Sequence, residues 1–104
     1  MTLHFNLADD PQSLADALAK QIRDCGTQLQ TGLVGTPYLL HELNRYGYTE
    51  LAWSLLLRRE YPGWLYSVSK GATTVWEHWD GIKPDGTFWD DDMNSYNHYA
   101  YGSV

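Results

Sequence analysis

The chain has 104 residues, of which 43% are hydrophobic, and this length supports one small domain rather than two. Its net charge of −6 leaves no basic patch for phosphates, so we predict neither nucleic acid nor a membrane surface as a partner. No apolar run is long enough to span a bilayer, and residues 1–20 lack the pattern of a signal peptide, so we expect a cytoplasmic protein. The single cysteine, Cys25, cannot form an intramolecular disulfide and is expected to be structural.

The first predicted helix has clear signals at both ends. Asp10 is the predicted N-cap, Pro11 occupies the first helical position, and Gly26 ends the helix. The residues predicted to form its buried stripe are Leu14, Ala15, Leu18 and Ile22.

Three more helices are predicted before residue 72. Thr36 is the predicted N-cap of the second helix, and Gly47 ends it. Thr49 is the predicted N-cap of the third, and a short fourth helix around residues 64–68 ends near Gly71. The apolar positions predicted to be buried in the second and third helices are Leu39, Leu40, Leu43, Leu51, Ala52, Leu55 and Leu56.

Aromatic residues are concentrated in the second half of the chain, which contains all five tryptophans. Trp64 and Tyr66 are two positions apart and cannot share one helical face, so we predict that Trp64 is the core residue. Residues 72–95 are rich in turn formers and are predicted to be a long irregular loop, with an extended piece at residues 73–76. A further helix is expected to begin at Asn94 or Ser95, with one face formed by Tyr96, Tyr99 and Ala100.

The run at residues 73–81, TTVWEHWDG, is the most informative part of the sequence. It sets Glu77 and His78 between two tryptophans, with a second acid at Asp80. Carboxylates beside large flat rings suit a sugar site, because the rings pack against the pyranose while the acids handle protons and hydroxyl groups. The alternative for Glu77 is a loop carboxylate without a catalytic role, and His78 is expected to face solvent.

The acidic run Asp90, Asp91 and Asp92 offers oxygen atoms to a hard cation such as calcium. Its spacing matches no known calcium loop, so we predict a solvated acidic turn. The four histidines lack the spacing of zinc ligands. We therefore predict no metal site and no cofactor.

Four blocks of the sequence resemble the bacterial α-L-rhamnosidases of glycoside hydrolase family 78. They are residues 31–40 (TGLVGTPYLL), 61–68 (YPGWLYSV), 71–81 (GATTVWEHWDG) and 93–102 (MNSYNHYAYG), in the order and spacing of that family. The resemblance extends from about Leu3 to the C-terminus. It implies an all-α fold of helical hairpins that form part of an (α/α)6 barrel, with residues 1–104 as a fragment of that single domain.

The family removes terminal α-L-rhamnose from glycosides with inversion of configuration, so the resemblance implies rhamnose-containing glycosides as substrates. It further implies that Glu77 is the general base that activates water. The residues expected to contact the sugar or its hydroxyl groups are Trp76, Trp79, Asp80, Asn97 and His98. Two positions depart from the family pattern: His78 stands where arginine is usual, and Asp91-Asp92 stands where Pro-Gly is usual.

In this family the general acid comes from an acidic, tryptophan-rich segment upstream, which nothing before Leu33 resembles. An inverting glycosidase needs two carboxyl groups roughly 6.5–9.5 Å apart. We therefore expect little or no activity from the 104 residues alone. Two alternatives remain, a carbohydrate-binding or interaction module and a vestigial helical domain. Apolar faces of an incomplete barrel also predict self-association or pairing with the missing part of the domain.

Overall fold

Four α-helices and a C-terminal 3₁₀ helix form the regular structure of the part of the chain that is described. The structure is a computed structural model that describes residues 1–92 and 95–104. The helices are α1 (Pro11–Asp24), α2 (Thr36–Arg45), α3 (Thr49–Leu56), α4 (Trp64–Ser69) and the 3₁₀ helix (Tyr99–Gly102). Within the described ranges, β-type pairing is confined to one isolated bridge, between Ile82 and Phe88. No helix in that part of the chain combines the length and the apolarity needed to cross a lipid bilayer.

The ends of α1 confirm the sequence prediction. The Asp10 carboxylate accepts a hydrogen bond from the Ser13 N–H at 3.1 Å, and Pro11 is the first helical residue. After the helix, Gly26 takes a φ of 78°, which favours glycine. The predicted buried stripe is only partly right. Ala15 and Ile22 are buried and Leu18 is half-buried, but Leu14 is exposed, and the buried face includes Ala19 in its place.

Helices α2 and α3 form the helical hairpin at the centre of the molecule. Gly47, with a φ of 89°, ends α2, and the next amide, of Tyr48, donates to Leu43 O at 2.8 Å. The hairpin packs against α1 and the segment that follows it. The shared hydrophobic core consists of Ala19, Ile22, Leu29, Leu39, Leu43, Leu51, Ala52 and Leu55.

Both threonine N-cap predictions are off by one residue. Thr36 and Thr49 are the first residues of their helices, and Gly35 and Tyr48 occupy the cap positions without a side-chain cap. The buried Thr36 hydroxyl donates to Gly32 O at 2.9 Å, so it ties the helix to the preceding turn. The Thr49 hydroxyl donates to Asn44 Oδ1 at 2.7 Å and thereby braces the hairpin.

The choice between Trp64 and Tyr66 as the core residue is also corrected. Tyr66 is 6% exposed, and its hydroxyl donates to Ile82 O at 2.9 Å, so a buried phenol finds its partner on the loop above. Trp64 is half-buried and packs against the edge of the hydrophobic core. Trp64 and Tyr66 therefore both contribute to packing, on different sides of α4, which has only six residues.

The predicted irregular loop is confirmed for residues 72–92. The C-terminal helix differs from the prediction: Asn94 lies outside the described residues, residues 95–98 are not helical, and the 3₁₀ helix begins at Tyr99. The cause is backbone pairing, because Ser95 O accepts from the Glu77 N–H and the His98 N–H donates to Val75 O. Groups used in this pairing are not free to form a helical turn. The predicted shared face of Tyr96, Tyr99 and Ala100 does not form, and Tyr99 is 80% exposed.

Candidate functional site

Two chain segments, residues 74–77 and 95–98, lie side by side and carry Glu77 and His98. The Glu77 N–H donates to Ser95 O at 2.9 Å, and the His98 N–H donates to Val75 O at 2.8 Å. The hydroxyl of Thr74 adds a hydrogen bond to Tyr96 O. This pairing brings the predicted base and the predicted sugar-contacting histidine onto one structural unit.

The Glu77 side chain is half-buried and held at one oxygen. Oε2 accepts a hydrogen bond from the Ser95 N–H at 3.2 Å. Oε1 makes no hydrogen bond within residues 1–92 and 95–104. A carboxylate anchored at one oxygen has a fixed orientation, and an oxygen without a partner among the described residues is chemically able to accept a proton from water.

His98 is the N-cap of the 3₁₀ helix. Its Nδ1 accepts from the Ala100 N–H at 3.3 Å, so the ring proton of the neutral imidazole lies on Nε2. Nε2–H is thus oriented by the cap, and it makes no hydrogen bond within the described residues. The neighbouring Asn97 side chain is exposed.

Trp76 is almost completely buried. The indole is 5% exposed and meets the Tyr96 ring edge to face, with centroids 5.6 Å apart. Gly81 passes close to the same indole, since a Cβ at Gly81 would lie 3.2 Å from Trp76 Cε3. Trp76 is therefore fixed in orientation and offers little of its surface to solvent.

Trp79 is held on several sides. Its ring stacks on Tyr101 with centroids 3.8 Å apart at 12°, and it meets Trp64 edge to face at 5.0 Å. Its Nε1 donates to Thr31 O at 3.2 Å, which links the loop to the segment that leads into α2. Trp64 Nε1 in turn donates to Tyr101 O. The tryptophan is thus positioned by α4, the 3₁₀ helix and the α2 entry together.

A half-open cavity of about 290 Å³ lies between α4 and the loop, and five rings contribute to its lining. They belong to Trp64, Trp76, His78, Trp79 and Tyr101. Glu77, although it stands between Trp76 and His78 in sequence, does not line this cavity, because its side chain faces Ser95. The tryptophans and the carboxylate therefore come from one loop but face different sides of it.

The expectation that His78 faces solvent is wrong. His78 is half-buried, lines the cavity, and stacks on Trp89 with centroids 4.0 Å apart at 18°. Trp89 and Tyr101 are two site-proximal residues that the sequence analysis missed. The aromatic spacing of the block at residues 96–101 is a signal for Tyr101, whereas the contact of Trp89 depends on how the turn at residues 82–88 closes, through the bridge between Ile82 and Phe88.

Asp80 is half-buried and lies among tyrosines. Burial raises the pKa of the Tyr101 phenol, and the charges of Tyr61, Asp80 and Glu77 raise it further. Burial also raises the pKa of Tyr61, with the Asp80 charge as the second cause. These phenols remain protonated at neutral pH and provide hydroxyl donors near the two carboxylates.

The acidic run beyond the loop shows the hydrogen bonding of a turn. The Asp90 carboxylate accepts from the Asp92 N–H at 2.8 Å. Across residues 1–92 and 95–104, no group of three or more histidine, cysteine or acidic side chains is arranged to hold a metal ion.

Short paired helices, with an aromatic cavity and carboxylates on the loop beside them, define a helical-hairpin domain. A family model described as the bacterial alpha-L-rhamnosidase 6 hairpin glycosidase domain matches residues 1–104. The chain belongs to this family, as the four sequence blocks predicted.

The similarity covers the whole chain and only a small part of each relative. An α-L-rhamnosidase of Streptomyces avermitilis is 48% identical over 106 residues, which include 100% of this chain and 10% of that protein. An α-L-rhamnosidase of Formosa agariphila is 37% identical, again over 100% of this chain and 11% of its own length. The chain therefore spans about one-tenth of the length of the curated relatives it matches.

Two solved structures confirm the fold. The crystal structure of the Streptomyces avermitilis α-L-rhamnosidase complexed with L-rhamnose superimposes with a TM-score of 0.95, over 99% of this chain and 10% of that one. The native enzyme from Aspergillus terreus, 40% identical, gives a TM-score of 0.93 over 99% of this chain and 12% of that one. Residues 1–104 thus have the structure of a small part of a six-hairpin glycosidase domain.

Proposed function

We propose that this chain supplies the general-base half of an α-L-rhamnosidase active site, with Glu77 as the base. The observation that carries the proposal is the geometry of the Glu77 carboxylate, which is anchored at Oε2 by the Ser95 N–H on the segment that also holds His98. A relative of 48% identity was solved with L-rhamnose, and this similarity supports rhamnose as the sugar.

The proposed reaction is a single displacement with inversion. Glu77 Oε1 accepts a proton from a water molecule while the water oxygen forms a bond to the anomeric carbon. The glycosidic C–O bond breaks at the same time, and a carboxylic acid donates its proton to the leaving oxygen. The two carboxyl groups stand roughly 6.5–9.5 Å apart in such sites, because the water must fit between the base and the sugar.

We place the general acid outside residues 1–104. Asp80 follows Glu77 by three residues on the same loop, and its charge acts on the surrounding tyrosines. We assign it to a sugar hydroxyl rather than to the leaving oxygen. His98 Nε2–H and the Asn97 amide are further hydroxyl partners. Trp76 and Trp79 line the cavity on the other side of the loop from the Glu77 carboxylate, and we assign them to the apolar wall of the sugar site.

The decisive experiment measures release of p-nitrophenol from its α-L-rhamnoside. In the complete six-hairpin domain that carries residues 1–104, we expect Glu77→Gln to lower kcat about 10²–10⁴-fold, the usual contribution of a general base. Glu50→Gln, at an exposed position of α3, is the matched control and should retain activity. The first sugar product should be the β-anomer by NMR.

Two results would overturn the assignment. Wild-type turnover by Glu77→Gln would exclude Glu77 as the base. Robust turnover by residues 1–104 alone, abolished by the same substitution, would show that both carboxyl groups lie within these residues.

The second candidate function is rhamnose binding without hydrolysis. It is favoured by the cavity, which is formed entirely by residues 64–101. Calorimetric titration of the purified 104 residues with L-rhamnose tests this, and absence of binding would leave the vestigial helical domain as the alternative.

Association with further protein is a separate part of the proposal. Val34, Trp53 and Leu57 are apolar side chains with exposures of 71%, 53% and 58%. We propose that they pack against the remainder of the domain or against a second copy of the chain. Light scattering at high concentration tests this, and a stable monomer of residues 1–104 would contradict it.

A further inference from the structure

Tyr101, in the 3₁₀ helix, is deeply buried among aromatic residues. It is 5% exposed, and one ring face lies against the Trp79 indole at 3.8 Å. Its carbonyl oxygen accepts a hydrogen bond from Trp64 Nε1, and the Trp64 ring meets the Trp79 ring edge to face. The Tyr101 ring and backbone thus contact both tryptophans.

Trp79 is the residue that this arrangement constrains most. It stands directly before Asp80 and two positions after Glu77 in the chain. Its indole is fixed by three interactions: the Tyr101 stack, the Trp64 edge and the hydrogen bond to Thr31 O. Of these, the stack with Tyr101 is the near-parallel face-to-face contact, at 12°. Aromatic pairs of this kind contribute beyond the burial of their surface.

We propose that Tyr101 is a positioning residue for the sugar site, acting through its ring to hold Trp79 and the adjoining Asp80 in place. The inference rests on the proposed rhamnosidase function, and it assigns to the 3₁₀ helix a role in substrate binding rather than in proton transfer. The charges of Asp80 and Glu77 also contribute to the raised pKa of the Tyr101 phenol, which is consistent with a hydroxyl near both carboxylates. The ring contact, however, is what the proposal requires.

Three variants in the complete six-hairpin domain test the proposal. Tyr101→Phe keeps the ring and should leave KM for the aryl rhamnoside and Kd for L-rhamnose within about twofold. Tyr101→Met keeps an apolar side chain of similar length without the stack, and should raise both by about 2- to 10-fold, the range expected for loss of one aromatic pair. Tyr99→Leu, at an 80% exposed position of the same 3₁₀ helix, is the control and should change neither.

A circular dichroism signature provides a second readout. Trp64 and Trp79 are in contact at 77°, so their indole transitions couple and produce a far-UV couplet. We expect this couplet to persist in Tyr101→Phe and to weaken in Tyr101→Met. A loss of folded protein lowers apparent kcat without altering KM, so the change in KM separates positioning from a general loss of structure.

The outcomes distinguish this inference from the proposed function. Wild-type KM, Kd and couplet in Tyr101→Met would overturn the role of Tyr101, as would equal losses in Tyr101→Phe and Tyr101→Met. A different result would contradict the proposed function. In that case Glu77→Gln would retain full turnover, while the wild-type protein would still show the couplet.

Discussion

Glu77 and Ser95 exchange two hydrogen bonds across the loop. The Glu77 N–H donates to Ser95 O at 2.9 Å, and the Ser95 N–H donates to Glu77 Oε2 at 3.2 Å. The same pair of segments is joined again where the His98 N–H donates to Val75 O. The orientation of the carboxylate and the position of the histidine therefore depend on one backbone pairing.

This relationship predicts different stabilities for two Glu77 variants. Glu77→Gln keeps an oxygen that accepts from the Ser95 N–H, whereas Glu77→Ala removes it. We expect Glu77→Ala to be less stable than Glu77→Gln by about 0.5–1.5 kcal/mol, the usual net contribution of one hydrogen bond. Urea denaturation followed by tryptophan fluorescence measures the difference. Equal midpoints would show that the Ser95 hydrogen bond contributes nothing to folding.

Gly81 gives a prediction about packing against Trp76. A Cβ at this position would lie 3.2 Å from Trp76 Cε3 and 3.3 Å from Tyr96 Cε1, closer than ordinary contact allows. Both rings are themselves packed against each other, so neither can retreat freely. We expect Gly81→Ala to destabilise the fold by about 1–3 kcal/mol, the usual cost of overpacking.

Gly32→Ala is the matched control, because a Cβ there would meet nothing within 4 Å. It should change the free energy of unfolding by no more than about 0.5 kcal/mol. Thermal denaturation of both variants tests the contrast. A Gly81→Ala protein as stable as Gly32→Ala would mean that the Trp76 and Tyr96 rings adjust without cost.

The helical part of the fold could be predicted because its signals are local. Asp10, Pro11 and Gly26 mark the ends of α1 through interactions with their immediate neighbours, and the structure has them where the sequence predicts. The start of the C-terminal helix could not be predicted in this way. Its first residues pair with the segment around Val75 and Glu77, and such nonlocal competition is not visible in a periodic pattern.

The residue types of the candidate site could be predicted from the sequence, but the contacts between those residues could not. Residue chemistry drew attention to Glu77 and its tryptophans, and the sequence blocks identified the family. Tyr101 was missed because its importance lies in a stack on Trp79, a residue of another segment. Tyr66 was undervalued for the same reason, since its burial depends on a carbonyl partner at Ile82.

The hydrogen bond between Tyr48 and Asp16 predicts a pH-dependent contribution to stability. The phenol donates to Asp16 Oδ1 at 2.6 Å, which lowers the pKa of Asp16, with a hydrogen bond from Gln12 as the second cause. The same hydrogen bond is the main cause of the raised pKa of Tyr48. The lowered carboxyl pKa stabilises the fold above the unfolded value of about 3.9, and this contribution is lost as the pH falls through the folded pKa.

Tyr48→Phe should therefore be less stable than the wild type at pH 7, and the difference should shrink as the pH falls through the folded pKa of Asp16. The raised phenol pKa acts in the opposite range: its contribution is complete below about pH 10 and is lost as the pH rises through the folded pKa of Tyr48. The Phe ring keeps the contact of Arg23 with residue 48, so the comparison isolates the hydroxyl. Urea denaturation at a series of acidic, neutral and alkaline pH values measures the difference in stability between Tyr48→Phe and the wild type. The exposed Tyr99→Phe is the control. A constant difference from pH 2 to pH 7 would exclude the Asp16 link.

The Arg58 side chain links the turn after α1 to the chain that follows α3. Its Nη1 donates to Gly26 O and to Thr27 O, each at 3.1 Å, and its side chain is only 20% exposed. A lysine keeps the charge, but it lacks the guanidinium group whose Nη1 donates to both carbonyl oxygens. Since partly buried carbonyls would lose their donors, we expect Arg58→Lys to lower the free energy of unfolding by about 1–3 kcal/mol.

Two controls identify the cause of that loss. Arg59→Lys changes the next, exposed arginine and should have no measurable effect. Glu60→Gln removes the carboxylate 3.7 Å from Arg58 Nε, but Glu60 is 74% exposed and an ion pair of that kind contributes little. If Glu60→Gln were as destabilising as Arg58→Lys, the ion pair rather than the carbonyl contacts would be what holds Arg58 in place. If only Arg58→Lys unfolds early in urea, the link between Arg58 and the residue 26–27 turn is the stabilising interaction.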